Sequence, residues 1–303
     1  MRLQDKDYVR TRHNLLFNVT GYQHPRDGYY ASLKYVDGNK WTGGYSAATE
    51  FLKSKFPEYV QDFVVVPQSL IEESFLPETR WRELERRVES SGIGTLPDLH
   101  REAFLLGTTI QAQLQLAHAS VSLGVTDSLL WGEGHDDSDI DLVVIGKENA
   151  MRLVETVGSL YEFDGFQRPD PRLMKSPYGL EVKDWPWILS RKQHMGSFRG
   201  RLFSIRSVRE RTEVDRAGKE RVEQHGRQNI EFLIADNSES LYFPAVYRDP
   251  VGNELVDYTV LYEGVFRNGE TVSATCQVED VIRGDRKFNR YVIEGPVTLA
   301  YGN

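Results

Sequence analysis

The sequence predicts a mixed α/β protein of three regions: a strand hairpin with helices over residues 1–96, an α/β (α+β) middle domain over 97–211, and an all-β domain over 212–303. Three observations carry this. Extended hydrophobic signals open the chain, helical periodicity governs its middle, and short strand signals separated by turns return after Thr212. At 303 residues, 40% hydrophobic and 27% charged, the chain is long enough for two or three packed cores.

In the first region, residues 14–20 and 29–36 read as the strands of a hairpin joined by the turn-rich stretch 23–28. Ser46 is placed to cap a helix running to Lys55 before Pro57, and a charged helix over 78–90 is stopped by Gly92 and Gly94. Pro97 and Asp98 suit the start of a long helix through Leu99, Phe104, Ile110, Leu114 and Leu116. The apolar runs 121–126 and 141–146 are expected to be buried strands, 148–160 a helix, and 201–208 a strand with one polar face. Beyond Thr212, strand signals around Ile230, Val246, Val260, Val272 and Val292 are spaced by turn signals at 237–238, 249–252, 268–269 and 283–285. Their number and length predict a small β-barrel, OB-like in plan, or a sandwich.

No run approaches the roughly 18 apolar residues of a membrane span, and the opening residues lack the apolar core of a secretory signal, so a soluble cytoplasmic protein is expected. The single cysteine, Cys276, excludes a disulfide framework and a zinc site of several thiolates. It sits in an alternating strand pattern and reads as a small buried residue. The net charge of −8 hides local asymmetry: residues 172–211 carry ten Lys/Arg against three Asp/Glu, while 61–171 carry eight against twenty. The basic stretch reads either as a solvated face balancing the acidic region or as a phosphate-contacting surface through Lys183, Arg191, Lys192, Arg199, Arg201 and Arg206. On the second reading Trp185 and Trp187 offer stacking platforms; on the first they are core.

The chemistry concentrates in residues 124–145. Asp139 and Asp141 stand at i and i+2 where a strand begins, so their side chains share a face and can reach one divalent cation while Ile140 faces the core. Carboxylates with no histidine or thiolate beside them favour Mg²⁺ or Mn²⁺, bound together with substrate phosphates. Upstream, Ser128 follows the first strand and opens a short helical segment, as a helix cap or as a phosphate contact. An NTP held between the two elements points to phosphoryl or nucleotidyl transfer.

Ser128, a ten-residue loop and Asp139-Ile-Asp141 resemble the signature of the DNA polymerase β-like nucleotidyltransferase superfamily, a Gly-Ser turn followed by Asp-x-Asp on a strand. Further segments are similar to a group of archaeal predicted nucleotidyltransferases: Arg10-Thr-Arg-His-Asn-Leu-Leu-Phe17, Gly21-Tyr-Gln-His-Pro-Arg-Asp27, Leu33-Lys-Tyr-Val36, Ser238-Glu-Ser-Leu241 and Pro244-Ala-Val-Tyr247. The resemblance implies a nucleotidyltransferase fold for the middle domain, two divalent ions, which Asp139 and Asp141 would hold, and an NTP substrate, and leaves the acceptor open, nucleic acid being one candidate; Ser128 is expected to contact the phosphates together with Arg206 of the basic stretch. Two positions depart from the pattern. Asp127 stands where the superfamily has glycine, unless Gly132-Glu-Gly134 supplies the turn, and the third carboxylate has Glu162, Asp164, Glu181 and Asp184 as candidates, Glu181 being the one preferred. A catalytically silent nucleotide- or RNA-binding protein of the same fold, or an assembly protein acting through the C-terminal domain, are the alternative readings.

Overall fold

A computed structural model describes residues 2–115, 122–132, 138–170, 185–214 and 220–300. The protein is a mixed α/β structure with mostly antiparallel strands, and its contacts divide it into two units, Met1–Ala112 with Ser120–Ile145 and Gln113–Ala119 with Gly146–Asn303. The first unit therefore contains both the N-terminal sheet and the acidic motif.

In that unit, β1 (Tyr8–Thr11), β2 (Leu15–Val19), β3 (Gly28–Val36), β4 (Asn39–Lys40) and β6 (Ile71–Phe75) form a sheet in the order β4-β3-β2-β1-β6, and β5 (Val65–Pro67) pairs with β3. The expected hairpin is β2–β3, with Leu15 opposite Val36. Alternation sorts the side chains onto two faces. Val9, Leu15, Phe17 and Val19 pack with Tyr59 and with Ala48 and Leu52 of α1 (Gly44–Lys55). Tyr8 and Leu16 pack on the other side with Tyr35, Phe75, Leu130 and Trp131. The first helix begins two residues before Ser46, behind Gly43 and with no side-chain cap, which corrects the expected start.

The second helix, α2 (Pro77–Ser91), carries proline in its first turn and stops at Gly92, whose φ of +81° glycine tolerates without a Cβ clash. Trp81 stacks on Phe104 of α3 (Asp98–Gln115) at 5.7 Å, over Gly107, where a Cβ would lie 2.2 Å from the indole. The remaining elements are β7 (Ser122–Val125), α4 (Ser128–Trp131) and β8 (Ile140–Ile145). Strands β7 and β8 pair antiparallel, with Val125 opposite Leu142.

In the second unit, α5 (Lys147–Thr156) runs into a 3₁₀ turn at Val157–Glu162, and β9 (Phe166–Gln167), β10 (Met195–Phe198) and β11 (Arg201–Val208) pair antiparallel around α6 (Trp185–Arg191) in the sequence. After α7 (Arg211–Val214) come β12 (Glu220–Leu233), β13 (Asp236–Glu239), β14 (Ala245–Arg248), β15 (Glu254–Asp257), β16 (Thr271–Arg283) and β17 (Arg286–Ala300). They form one sheet in the order β12-β16-β17-β15-β14-β13, parallel at β15–β17. The expected barrel is corrected: this path is open, ending at β12 and β13. Residues 221–229 of β12 are exposed without alternation, so that length of the strand offers no inward apolar face with which to fill a barrel. Two local expectations also change. Asn237 and Ser238 lie within β13 rather than in a turn, and Val260 lies outside the strands at a φ of +55°. The core gathers Phe232, Tyr247, Leu255, Phe266, Cys276 and Ile293. Among the described residues, no helix is long and apolar enough to cross a membrane.

Candidate active site

Antiparallel pairing brings the two halves of the motif side by side. Beyond the last β7–β8 pair, Thr126 N donates to Asp141 O at 3.0 Å, so the pairing continues one residue further, to the head of the turn. Ile140 is fully buried between an exposed Asp139 and a half-buried Asp141, the alternation that sets both carboxylates on the outward face. Asp139 itself stands one residue ahead of β8. Two hard oxygen donors on one face suit Mg²⁺, which takes one or two carboxylates and completes its shell with water and phosphate.

Among the described residues, no group of three or more His, Cys, Asp or Glu side chains is placed to hold a metal. Glu181 and Asp184 lie outside the described residues, as do His135, Asp136 and Asp137. Glu162 and Asp164 are exposed around the end of the 3₁₀ turn in the second unit. The strand β11 carries no carboxylate.

The turn itself differs from the expected cap. Ser128 is the first helical residue and Asp127 takes the cap position, with φ +50° and ψ −131° and no side-chain cap bond. Leu130 N donates to Asp127 O at 3.1 Å, closing the turn, and Arg80 Nε of α2 donates to Leu129 O at 3.3 Å. Ser128 is half-buried.

Around this turn the N-terminal sheet supplies residues that sequence reasoning missed. The Tyr8 hydroxyl donates to Asp127 Oδ1, Lys34 Nζ lies 3.9 Å from the same oxygen, and Thr126 Oγ1 donates to Lys6 O at 3.4 Å. Burial first, then the charge and hydrogen bond of Asp127, then the charge of Asp141 hold the Tyr8 hydroxyl well above its ordinary pKa, so it acts as a neutral donor. Lys34 reaches the turn because it is the extra residue of a β-bulge: Leu16 pairs with Tyr35 and Phe17 with Leu33. Its neighbour Tyr35 meets Trp131 edge-on at 4.3 Å. Tyr8 and Asp127 are 119 positions apart, so no local spacing signals their contact; the alternation of Tyr8 with buried Val9 is the one sequence clue to its face.

The basic stretch is largely committed to partners inside the second unit. Arg206 Nη1 donates to Glu263 Oε2 at 2.8 Å, Arg191 Nη2 to Glu270 Oε1 at 2.5 Å, and buried Lys192 Nζ to Val260 O at 2.6 Å. Burial brings Lys192 down to about 8 despite Glu263, and burial with the charges of Lys192 and Arg206 keeps His194 neutral, 3.8 Å from Glu263. Arg199 lies over the Phe198 ring, Trp187 packs against the C-terminal core beneath Arg191, and Lys183 lies outside the described residues. Cys276 is buried and its thiol is pushed up to about 12, first by burial and then by Glu294, which makes it inert.

No family model matches the chain, and no solved structure matches it. The chain is 24% identical over 328 aligned positions to "Uncharacterized protein MJ1086" of the archaeon Methanocaldococcus jannaschii, an alignment covering 97% of this chain and 96% of that protein. The likeness to an archaeal protein thus runs almost end to end.

Proposed function

We propose that this protein is a metal-dependent nucleotidyltransferase that moves a nucleotidyl group from an NTP to a hydroxyl acceptor and releases pyrophosphate. One observation carries the reading: Asp139 and Asp141 face outward on either side of a fully buried Ile140, and the Asp127–Ser128 turn follows directly on the strand paired with theirs. Asp139 and Asp141 hold the divalent cations, Mg²⁺ or Mn²⁺, whose charge, when bound, offsets that building up on the transferring and leaving phosphates. Ser128 contacts the phosphates from the head of the turn, and the buried neutral Tyr8 keeps Asp127 in place beside them. Arg206, expected from the sequence to bind phosphate, is held here in its pair with Glu263. The acceptor is a polynucleotide, a protein or a small hydroxyl compound, and the setting is cytoplasmic, in keeping with one inert cysteine.

Titration of labelled NTP with and without Mg²⁺ tests this: binding that needs the metal supports it, and no binding by folded protein overturns it. Asp127 in the place of the superfamily's glycine, a side chain and a negative charge where phosphate would approach, favours one second reading, a catalytically silent nucleotide-binding protein. Pyrophosphate release assayed over tRNA, DNA ends, proteins and small alcohols separates the two. Turnover that Asp139→Asn and Asp141→Asn abolish excludes the silent form.

A further inference from the structure

Asp127 holds a backbone conformation, φ +50° and ψ −131°, that residues with a Cβ rarely adopt and glycine adopts freely. Such a conformation persists only where the surroundings over-determine it. Here the N-terminal sheet supplies contacts of that kind. Tyr8, 1% exposed and packed with Leu16 and Leu130, donates its hydroxyl to Asp127 Oδ1, the bulged Lys34 approaches the same oxygen, and Lys6 O receives the hydroxyl of the preceding Thr126. Tyr8, Lys34 and Lys6 all belong to the N-terminal sheet or to the segment leading into it. They turn the carboxylate onto a buried phenol and beside a cation, where its charge is partly neutralised for an incoming phosphate.

We propose that Tyr8 is a positioning residue for the nucleotide turn: by fixing the Asp127 carboxylate on the N-terminal sheet, it holds the glycine-like backbone that sets Ser128 beside Asp139 and Asp141. The inference rests on the proposed nucleotide chemistry for its consequence, but the clamp itself is independent of it. Lys34 completes the clamp by balancing charge. The N-terminal sheet, which carries none of the acidic motif, is on this account part of the site.

A double-mutant cycle tests it, using Tyr8→Phe, Asp127→Gly and the double variant of the full chain, with Mg²⁺ and each of the four ribonucleoside triphosphates as probes. Tyr8→Phe deletes only the hydroxyl. In the parent it is expected to weaken NTP affinity about tenfold and to lower the melting temperature. In the Asp127→Gly background, where the backbone no longer needs holding, the same change is expected to move affinity less than about twofold and to leave the melting temperature in place, whatever Asp127→Gly does by itself. Equal losses in both backgrounds overturn the proposal, because Tyr8 then acts without Asp127. If the parent binds no NTP, the nucleotidyltransferase reading fails, and the melting cycle still decides the clamp: coupling supports it, additivity refutes it. If Tyr8→Phe does not fold, Asp127→Asn keeps an acceptor for Tyr8 but removes the charge that Lys34 balances. Lys34→Met should then weaken NTP affinity in the parent and not beside Asp127→Asn; a loss of the same size in both refutes the clamp.

Discussion

Replacing Ile140 by alanine tests the register on which the acidic pair depends. Ile140 is fully buried, and Asp139 and Asp141 share a face only because the residue between them faces inward. Ile140→Ala removes three carbons, about 2.4 kcal/mol at roughly 0.8 kcal/mol per buried methylene, and leaves a cavity that partial relaxation does not close. The expected loss is about 3–4 kcal/mol, inside the range of about 2–5 kcal/mol for such changes, or roughly 10 °C in melting temperature. Asp139→Ala, at the exposed neighbouring position, should change stability by no more than about 0.5 kcal/mol. Thermal unfolding followed by circular dichroism reads both. A loss below about 1 kcal/mol for Ile140→Ala, or a larger one for Asp139→Ala, means that the strand is slipped by one residue and the two carboxylates do not share the outward face.

Two further expectations concern each unit in turn. Gly124 of β7 lies so close to α2 that a Cβ would stand 2.5 Å from Pro77 Cβ and 2.7 Å from its carbonyl carbon, so Gly124→Ala should cost about 1–3 kcal/mol in urea denaturation, and a neutral result would show that the strand and helix do not pack as described. In the second unit burial favours protonation of Glu239, but Arg209 at 3.0 Å and Arg248 at 2.7 Å more than offset it and hold the carboxyl at about 2 rather than 4.5. That contribution, about 3 kcal/mol, is present above pH 4.5 and is lost as pH falls towards 2. The stability gap between the parent and Glu239→Gln should therefore shrink over that interval, and a gap that does not change with pH contradicts the ion pair.

The elements legible in the sequence were those whose periodicity is enforced locally. The β2–β3 hairpin, α2, α3 and the buried runs of β7 and β8 follow from apolar spacing, proline and glycine placement. The outward face shared by Asp139 and Asp141 was equally legible, because period two leaves Ile140 no other side. The barrel was not: counting strand signals gives strand number, while closure depends on whether each strand has an inward face, and the polar run 221–229 has none. Tyr8 and Lys34 were illegible for a different reason. One reaches the turn across 119 positions and the other through a bulge, and neither a long-range contact nor an inserted residue leaves a mark in hydrophobic spacing. Arg206 illustrates the converse. Its place in a basic stretch suggested phosphate, and Glu263, 57 positions away, holds its guanidinium.

The most direct test of the central claim is the thermal shift that Mg²⁺ with NTP produces in the parent, in Asp139→Asn and in Asp141→Asn. Both side chains face outward, so the neutral variants should fold as the parent does and, without metal, melt within about 2 °C of it, since the change relieves repulsion between two neighbouring carboxylates. The parent should melt higher when Mg²⁺ and NTP are added together, by the linkage expected of a ligand that binds only the folded chain, and neither variant should respond. If the two variants keep the parent's Mg²⁺–NTP shift, Asp139 and Asp141 do not form the metal site and the proposed function is wrong.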